Sequence, residues 1–166
     1  MIGRREFIAG LGGAAAWPLV AVRAQRGSLR HQLVGNWTLV SYDRTAANGT
    51  KTQLFGVNPK GILMLDTSGR YAVMFGRADR AKFKDSVQPT TEERAAAQAS
   101  FGADYGTWSV SEADQTLTLR FEGALNPNNE GIEAKFAVSL SGDEMKISGA
   151  QEIYGPRLDF VWRRGT

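Results

Sequence analysis

Few side chains in this sequence could do chemistry, and most of them are tyrosines and carboxylates. Tyr71 and Tyr105 are candidate acids, and Asp104 and Glu122 are candidate bases, all within strand-like segments. A tyrosine beside a carboxylate can move a proton on a bound molecule without a cofactor. The pattern allows a cofactor-free isomerase, cyclase or hydratase, although the more usual role of each carboxylate is a solvated charge at a strand end or in a hairpin. A buried carboxylate that faced a cavity with a raised pKa would favour catalysis.

Residue counts exclude several classes of site. The chain has no cysteine and one histidine, His31. Disulfides, thiol nucleophiles, thiolate metal sites, Ser-His-Asp hydrolases and histidine-rich metal sites are therefore excluded. A metal site built only from carboxylates stays open, but no Asp-x-Asp-x-Asp-Gly run appears, so we expect no metal and no cofactor.

The first 24 residues have the pattern of an export signal. The paired Arg4 and Arg5 precede a weakly apolar, glycine-rich and alanine-rich run over residues 9–22, and small residues then allow cleavage after Ala24. The run is too short and too rich in glycine to span a membrane. It resembles a twin-arginine signal, which predicts the twin-arginine export machinery as a partner and a periplasmic or secreted location. The alternative is the basic start of a cytosolic protein, and the lack of cysteine argues against a lipoprotein anchor.

The basic charge of the chain belongs mostly to this segment. Three arginines and one glutamate give residues 1–24 a net charge of +2, out of +3 for the whole chain. The remainder has no basic stripe interleaved with aromatic residues, so we expect no nucleic-acid partner. We assign residues 25–32 to a linker and residues 33–166 to one domain.

Short segments of alternating polarity indicate an all-β domain. In the stretch 33–42, Trp37 and Leu39 alternate with polar or exposed positions, and Gly35 allows a sharp bend just before the indole. About eight such segments, joined by turns, predict an up-and-down antiparallel β-barrel. One helix is expected at about 91–101, because Thr90 and Glu93 have capping-box spacing. That helix could be a surface connector or a lid over the barrel mouth.

An ordered series of motifs resembles the bacterial lipocalin-like domain family over roughly residues 31–164. The motifs are Leu33-Val34-Gly35-Asn36-Trp37, Phe55-Gly56, Asn58-Pro59-Lys60-Gly61, Gly69-Arg70, Thr90-Glu92-Glu93, Tyr105-Gly106-Thr107-Trp108 and Glu122-Gly123-Ala124-Leu125-Asn126-Pro127-Asn128. The resemblance implies a lipocalin-like barrel whose interior holds a small apolar molecule. It also implies that Trp37 plugs the narrow end beneath an arginine of the last strand, either Arg163 or Arg164.

The chain departs from the family pattern at two places. Family members often carry histidine in the strand that here covers residues 116–121, and an aromatic residue where this chain has Asn129-Glu130. The resemblance therefore implies no particular ligand, and fold alone does not define function.

Three functions remain open after these observations. The first is binding of a small apolar or amphipathic molecule in an open barrel, and the second is the cofactor-free enzyme. The third is a structural or partner-binding module with a filled barrel. A cavity of roughly a few hundred Å³ would favour the first two. The residues expected to line the cavity are Met64, Tyr71, Val73, Phe75, Trp108, Leu119, Phe136 and Phe160.

Overall fold

The computed structural model describes residues 27–151 and 155–165, so the expected signal segment lies outside the described residues. Two helices and nine strands follow one another along this part of the chain. The helices are α1 (Leu29–Leu33) and α2 (Thr91–Ala99), and a 3₁₀ turn covers Pro127–Asn129. The strands are β1 (Gly35–Thr45), β2 (Lys51–Gln53), β3 (Lys60–Leu65), β4 (Arg70–Gly76), β5 (Phe101–Ser111), β6 (Thr116–Ala124), β7 (Glu133–Ser141), β8 (Glu144–Gln151) and β9 (Gly155–Arg164).

Eight of these strands form a closed antiparallel barrel, which confirms the predicted fold. Strands β3 to β9 pair in chain order, and β1 pairs with β3 on one side and β9 on the other. Closure leaves no free edge in this ring. The short β2 was not predicted; it pairs only with the end of β1, at residues 43–45. Within the described residues, no helix has the length and apolarity needed to cross a membrane.

Alternating side chains build the core inside the barrel. In β6, Leu117, Leu119 and Phe121 are buried, whereas the residues between them are more exposed. The same alternation places Phe136 and Val138 of β7 inside. A strand points successive side chains to opposite faces, so this sequence pattern alone sets which residues face the interior.

One end of the barrel is covered by α1, which was not predicted from the sequence; residues 29–32 were assigned to the linker and Leu33 to the domain. The backbone amides of Leu29 and Arg30 donate to the Glu112 carboxylate at 2.9 and 3.0 Å. Leu33, at the other end of the helix, is fully buried against the core. A helix of five residues has too few positions for a periodic signal, and it exists here because tertiary contacts hold it.

The opposite end carries α2, close to the position predicted from the capping box. The Thr90 hydroxyl accepts from the Glu93 amide, and the Glu93 carboxylate accepts from the Thr90 amide. The helix ends at Ala99 rather than 101, because Phe101 already belongs to β5. None of its residues is buried, so it lies on the barrel rather than in the core.

Candidate functional site

A cavity of about 690 Å³ occupies the half of the barrel nearer α2. This volume falls in the range of small-molecule sites, and its wall is mostly apolar. Exposed residues of α2 and Leu125, which is also exposed, contribute to the wall, so the cavity opens at this end. The barrel wall includes Tyr42, Leu63, Val73, Phe75, Asp104, Leu119, Phe121, Asn129, Phe136, Ile147, Leu158, Phe160 and Trp162.

Aromatic rings form a continuous cluster on this wall. The ring of Tyr42 stacks on Phe160 with centroids 4.1 Å apart and on Phe55 at 5.4 Å. Phe75 meets Tyr42 and Phe55 edge-on at 5.2 Å in both cases. Such ring pairs add about 0.5–1.5 kcal/mol each beyond their buried area. They give the cavity a rigid apolar surface.

Asp104 is the one acidic side chain among the described residues of the wall. It stands directly opposite Val73 on the neighbouring strand and points to the same face. The hydroxyl of Tyr71 donates to its Oδ1 at 2.8 Å. Burial raises the pKa of Asp104 to about 6, against the hydrogen bond from Tyr71, which lowers it. The carboxyl group can therefore be ionised or protonated within a physiological pH range.

Further residues with polar groups lie around the cavity, in β9 and in the turn after β6. Asn126 and Asn129 bracket the 3₁₀ turn, and Asn129 is only 8% exposed. The indole nitrogen of Trp162 is buried, and no described group accepts a hydrogen bond from it. Strand β9 lies across the barrel from β5, so Trp162 and Asp104 belong to opposite walls. The cavity thus has an apolar centre, with Asp104 on one wall and the side chain of Trp162 on the opposite wall.

The structure brings five of the eight expected lining residues to the cavity. These are Val73, Phe75, Leu119, Phe136 and Phe160. Their strand parity and bulk were the signals that identified them.

The other three expected lining residues lie elsewhere. Met64 is 37% exposed on the outer surface, because Leu63 and Leu65 take the inner positions of β3. Tyr71 is buried nearer the closed end. Its ring meets Phe121 edge-on and its hydroxyl donates to Asp104, and both of these partners line the cavity.

Trp108 lies at the closed end of the barrel. Its indole nitrogen donates to the Asp66 carbonyl at 3.1 Å, and the guanidinium of Arg30 covers its ring at 4.5 Å. It was expected on the cavity wall because its side chain is on the inward face of β5. It lies too far along that strand, however, toward the closed end and away from the cavity.

Trp37 occupies the closed end, and the two candidate arginines differ in position. The indole is fully buried, and its nitrogen donates to the Leu33 carbonyl at 2.9 Å. Arg164 lies over the ring, while Arg163 is exposed on the outer face. Of the two, Arg164 is the one placed for the role that the resemblance implied.

The alternative acid and base candidates lie outside the barrel. Tyr105 is 51% exposed, and Glu122 forms an ion pair with Arg70 at 2.7 Å. Both point outward by strand parity, so they do not reach the cavity. In the described parts of the chain, no group of histidine, cysteine and carboxylate side chains is arranged to hold a metal ion.

Sequence analysis also missed cavity residues that the fold brings together. Tyr42 and Phe55 belong to the aromatic cluster, but Phe55 sits in a loop before β3 and Tyr42 follows a bulge near Leu39 and Ser41. A bulge shifts the alternation by one residue, so parity counted from Trp37 places Tyr42 on the wrong face. Without the bulge position, the sequence held no signal for this residue.

The family of the chain follows from this architecture and from one comparison. A closed eight-stranded barrel with one covered end and an apolar cavity at the other defines a lipocalin-like ligand-binding fold. Residues 34–157 match the model of the lipocalin-like domain family. The chain therefore belongs to this family. No curated protein matches the chain.

Proposed function

We propose that this protein binds a small apolar or amphipathic molecule in its barrel after export from the cytoplasm. The observation that carries the proposal is the cavity of about 690 Å³ lined by aromatic and aliphatic side chains. Apolar surface that is buried on binding contributes roughly 25 cal/mol per Å². A filled barrel would leave no such volume, so the cavity weighs against a purely structural module.

A matched pair of variants tests whether binding takes place inside the barrel. Val73→Trp narrows the cavity, whereas Val40→Trp adds the same bulk on the outer surface, where Val40 is exposed. Uptake of a neutral fluorescent naphthylamine dye is the measurement. We expect Val73→Trp to abolish uptake and Val40→Trp to retain it, with both proteins folded by circular dichroism. Equal uptake by all three proteins would place binding on the surface and overturn the proposal.

Export is the second part of the proposal, and it rests on the sequence alone. Arg4 and Arg5 precede a weakly apolar run in the order typical of twin-arginine signals. We propose that they direct transport of the folded domain to the periplasm and that cleavage follows Ala24.

One observation favours a second candidate function, the cofactor-free isomerase, cyclase or hydratase. Asp104 faces the cavity, and burial raises its pKa to about 6, which suits a general base near neutral pH. Tyr71 holds the carboxylate in position through its hydroxyl. Binding is preferred here because the described wall offers a single carboxyl group and a large apolar surface.

Turnover separates the two candidates. A small-molecule extract of periplasm from cells that lack this protein is incubated with catalytic amounts of wild type or Asp104→Asn. A carrier leaves the chromatographic profile unchanged. A compound that disappears only with wild type, replaced by an isomer or by a species that differs by one water, would establish the enzyme.

A further inference from the structure

We propose that the ligands of this barrel are apolar molecules that carry one protonated amine, with the nitrogen bound at the carboxylate of Asp104. This inference rests on the proposed binding function and adds the chemical class of the ligand. It follows from the charge of the wall, the position of the carboxylate and the rings around it.

The charge of the cavity is one-sided. Asp104 lines it, and no lysine, arginine or histidine does so among the residues that the structure describes. The one hydrogen bond that Asp104 receives there comes from the neutral hydroxyl of Tyr71. A buried charge without a counter-charge is costly, and an opposite charge at hydrogen-bond distance offsets that cost. An ammonium group on the ligand supplies this counter-charge.

The geometry leaves part of the carboxylate for the ligand. Tyr71 binds Oδ1 from the closed end of the barrel, which fixes the orientation of the group. Within the described chain, Oδ2 receives no hydrogen bond from the protein. Asp104 itself belongs to the cavity wall, so a ligand nitrogen inside the cavity can approach it.

The aromatic rings of the cavity also favour a positively charged ligand. Phe75 on β4 pairs with Gly102 on β5, two residues before Asp104. The Phe75 ring lies directly over Gly102: a Cβ atom added to this glycine would be only 2.3 Å from Phe75 Cε2. The ring therefore covers Gly102, which lies on the same face of β5 as Asp104, and it continues into Tyr42 and Phe160. Ring faces attract cations, so a cavity lined by both a carboxylate and aromatic rings is suited to an alkylammonium group.

The same arrangement selects against other amphiphiles. A fatty carboxylate would bring a second negative charge to Asp104, and like charges at close range in a low dielectric repel strongly. A neutral alcohol could donate one hydrogen bond but would leave the charge uncompensated. We therefore expect the order amine, alcohol, carboxylate for molecules with the same apolar chain.

Three dodecyl compounds test this order. Dodecylamine, dodecanol and dodecanoate are titrated against protein that holds the neutral naphthylamine dye at pH 7.5, below their aggregation concentrations. We expect the amine to displace the dye at a concentration about tenfold lower than dodecanol needs, which corresponds to about 1.4 kcal/mol. Dodecanoate should be the weakest of the three.

Two variants assign the preference to one carboxylate. Asp104→Asn should erase the advantage of the amine over the alcohol, with both compounds measured by displacement of dye bound to the same variant. Asp143→Asn removes the same charge from an exposed turn and should keep the advantage.

The pH offers a second test. Wild type at pH 5 should lose most of its preference for the amine over the alcohol, because protonation of Asp104 removes the charge. Tyr71, which contacts Asp104, and Tyr42 across the cavity are the other titratable groups of the site, and phenols stay neutral in this range.

Failure of the proposed function and failure of this inference give different results. If the dye does not bind to wild type at all, the binding function fails. If the dye binds but the amine is no better than the alcohol, or if Asp104→Asn keeps the preference, the amine proposal is overturned and the barrel remains a binder of neutral apolar molecules. A better result for dodecanoate would overturn it as well.

Discussion

Arg164 lies over the indole of Trp37, with its Cζ 4.2 Å from the ring centroid. Its guanidinium also donates to the carbonyls of Gln32 at 2.6 Å and Val34 at 3.3 Å, while the indole nitrogen donates to the carbonyl between them, that of Leu33. Three successive carbonyls at the end of α1 are thus bound by two side chains. The last carbonyls of a helix have no partner within the helix, so this pair supplies the missing donors.

Arg164→Met should destabilise the domain by about 2–3 kcal/mol. The variant keeps most of the apolar stem but loses two charge-assisted hydrogen bonds and the contact with the ring. Arg163→Met is the matched control, since Arg163 is exposed on the same strand. Its effect should stay within about 0.5 kcal/mol. Urea denaturation measures both, and equal effects of the two variants would contradict the role assigned to Arg164.

Trp37→Ala should cost about 3–5 kcal/mol of unfolding free energy. The indole is fully buried, and its removal leaves a large void together with an unbound carbonyl at Leu33. Trp37→Phe refills part of the void but cannot donate, so its loss should be intermediate. An unchanged denaturation midpoint for Trp37→Ala would rule out a plugging role at this end.

Asp104→Asn should make the ligand-free protein more stable at neutral pH. Burial raises the pKa of Asp104 from 3.8 to about 6, so ionisation disfavours the folded state and wild type loses stability as pH rises through this interval. The difference in unfolding free energy between the variant and wild type should grow by as much as about 3 kcal/mol as the pH rises from 3.8 to about 6, and it should then level off. Denaturation of both proteins across this pH range measures it, and other carboxylates cancel in the difference. A constant difference would show that Asp104 is not desolvated.

Gly102→Ala should reduce dye binding by displacing Phe75. A Cβ at this position would lie 2.3 Å from Phe75 Cε2, so the ring must move into the cavity. Overpacking of this kind costs roughly 1–3 kcal/mol. Phe75→Leu should relieve the clash, so the double variant should be more stable than the sum of the single effects implies. Strict additivity in this cycle would mean that the two residues do not touch.

Replacement of Arg4 and Arg5 by lysine should leave the precursor in the cytoplasm. Twin-arginine export reads the paired arginines as an address, and lysine keeps only their charge. Cell fractionation followed by immunoblotting measures the distribution, with Arg30→Lys as a control for arginine loss outside the signal. Normal periplasmic accumulation of the double variant would contradict the export proposal.

The alternation of apolar and polar residues was enough to predict the barrel, because alternation along a single strand shows which of its side chains face the interior. Leu119 and Phe136 could be assigned to the interior from their own strands, since polar residues alternate with apolar ones there. Met64 could not be assigned in this way, because β3 is apolar on both faces and parity then gives no preference.

The site was less predictable because it depends on contacts between distant segments. The environment of Asp104 is set by Tyr71 on the neighbouring strand β4 and by the aromatic rings around the cavity. The sequence near Asp104 contains no pattern that predicts either contact. The second pair at the closed end, Arg30 over Trp108, joins residues from α1 and β5. Such pairs can be recognised only in the three-dimensional structure, where closure of the barrel brings these residues together.

Because α2 contributes to the cavity wall at the open end and has no buried residue, we expect it to act as a lid over the barrel mouth. Polar contacts hold the helix and its preceding loop, such as the Lys84 amide to Glu93 at 3.0 Å and Arg80 to the Ala97 carbonyl at 3.2 Å, and no residue of the helix is buried. Segments with so little buried surface open locally at small cost, while the rest of the domain stays folded. Most of the cavity wall belongs to the barrel, so local opening of α2 should speed entry and exit of a ligand alike and change its affinity little.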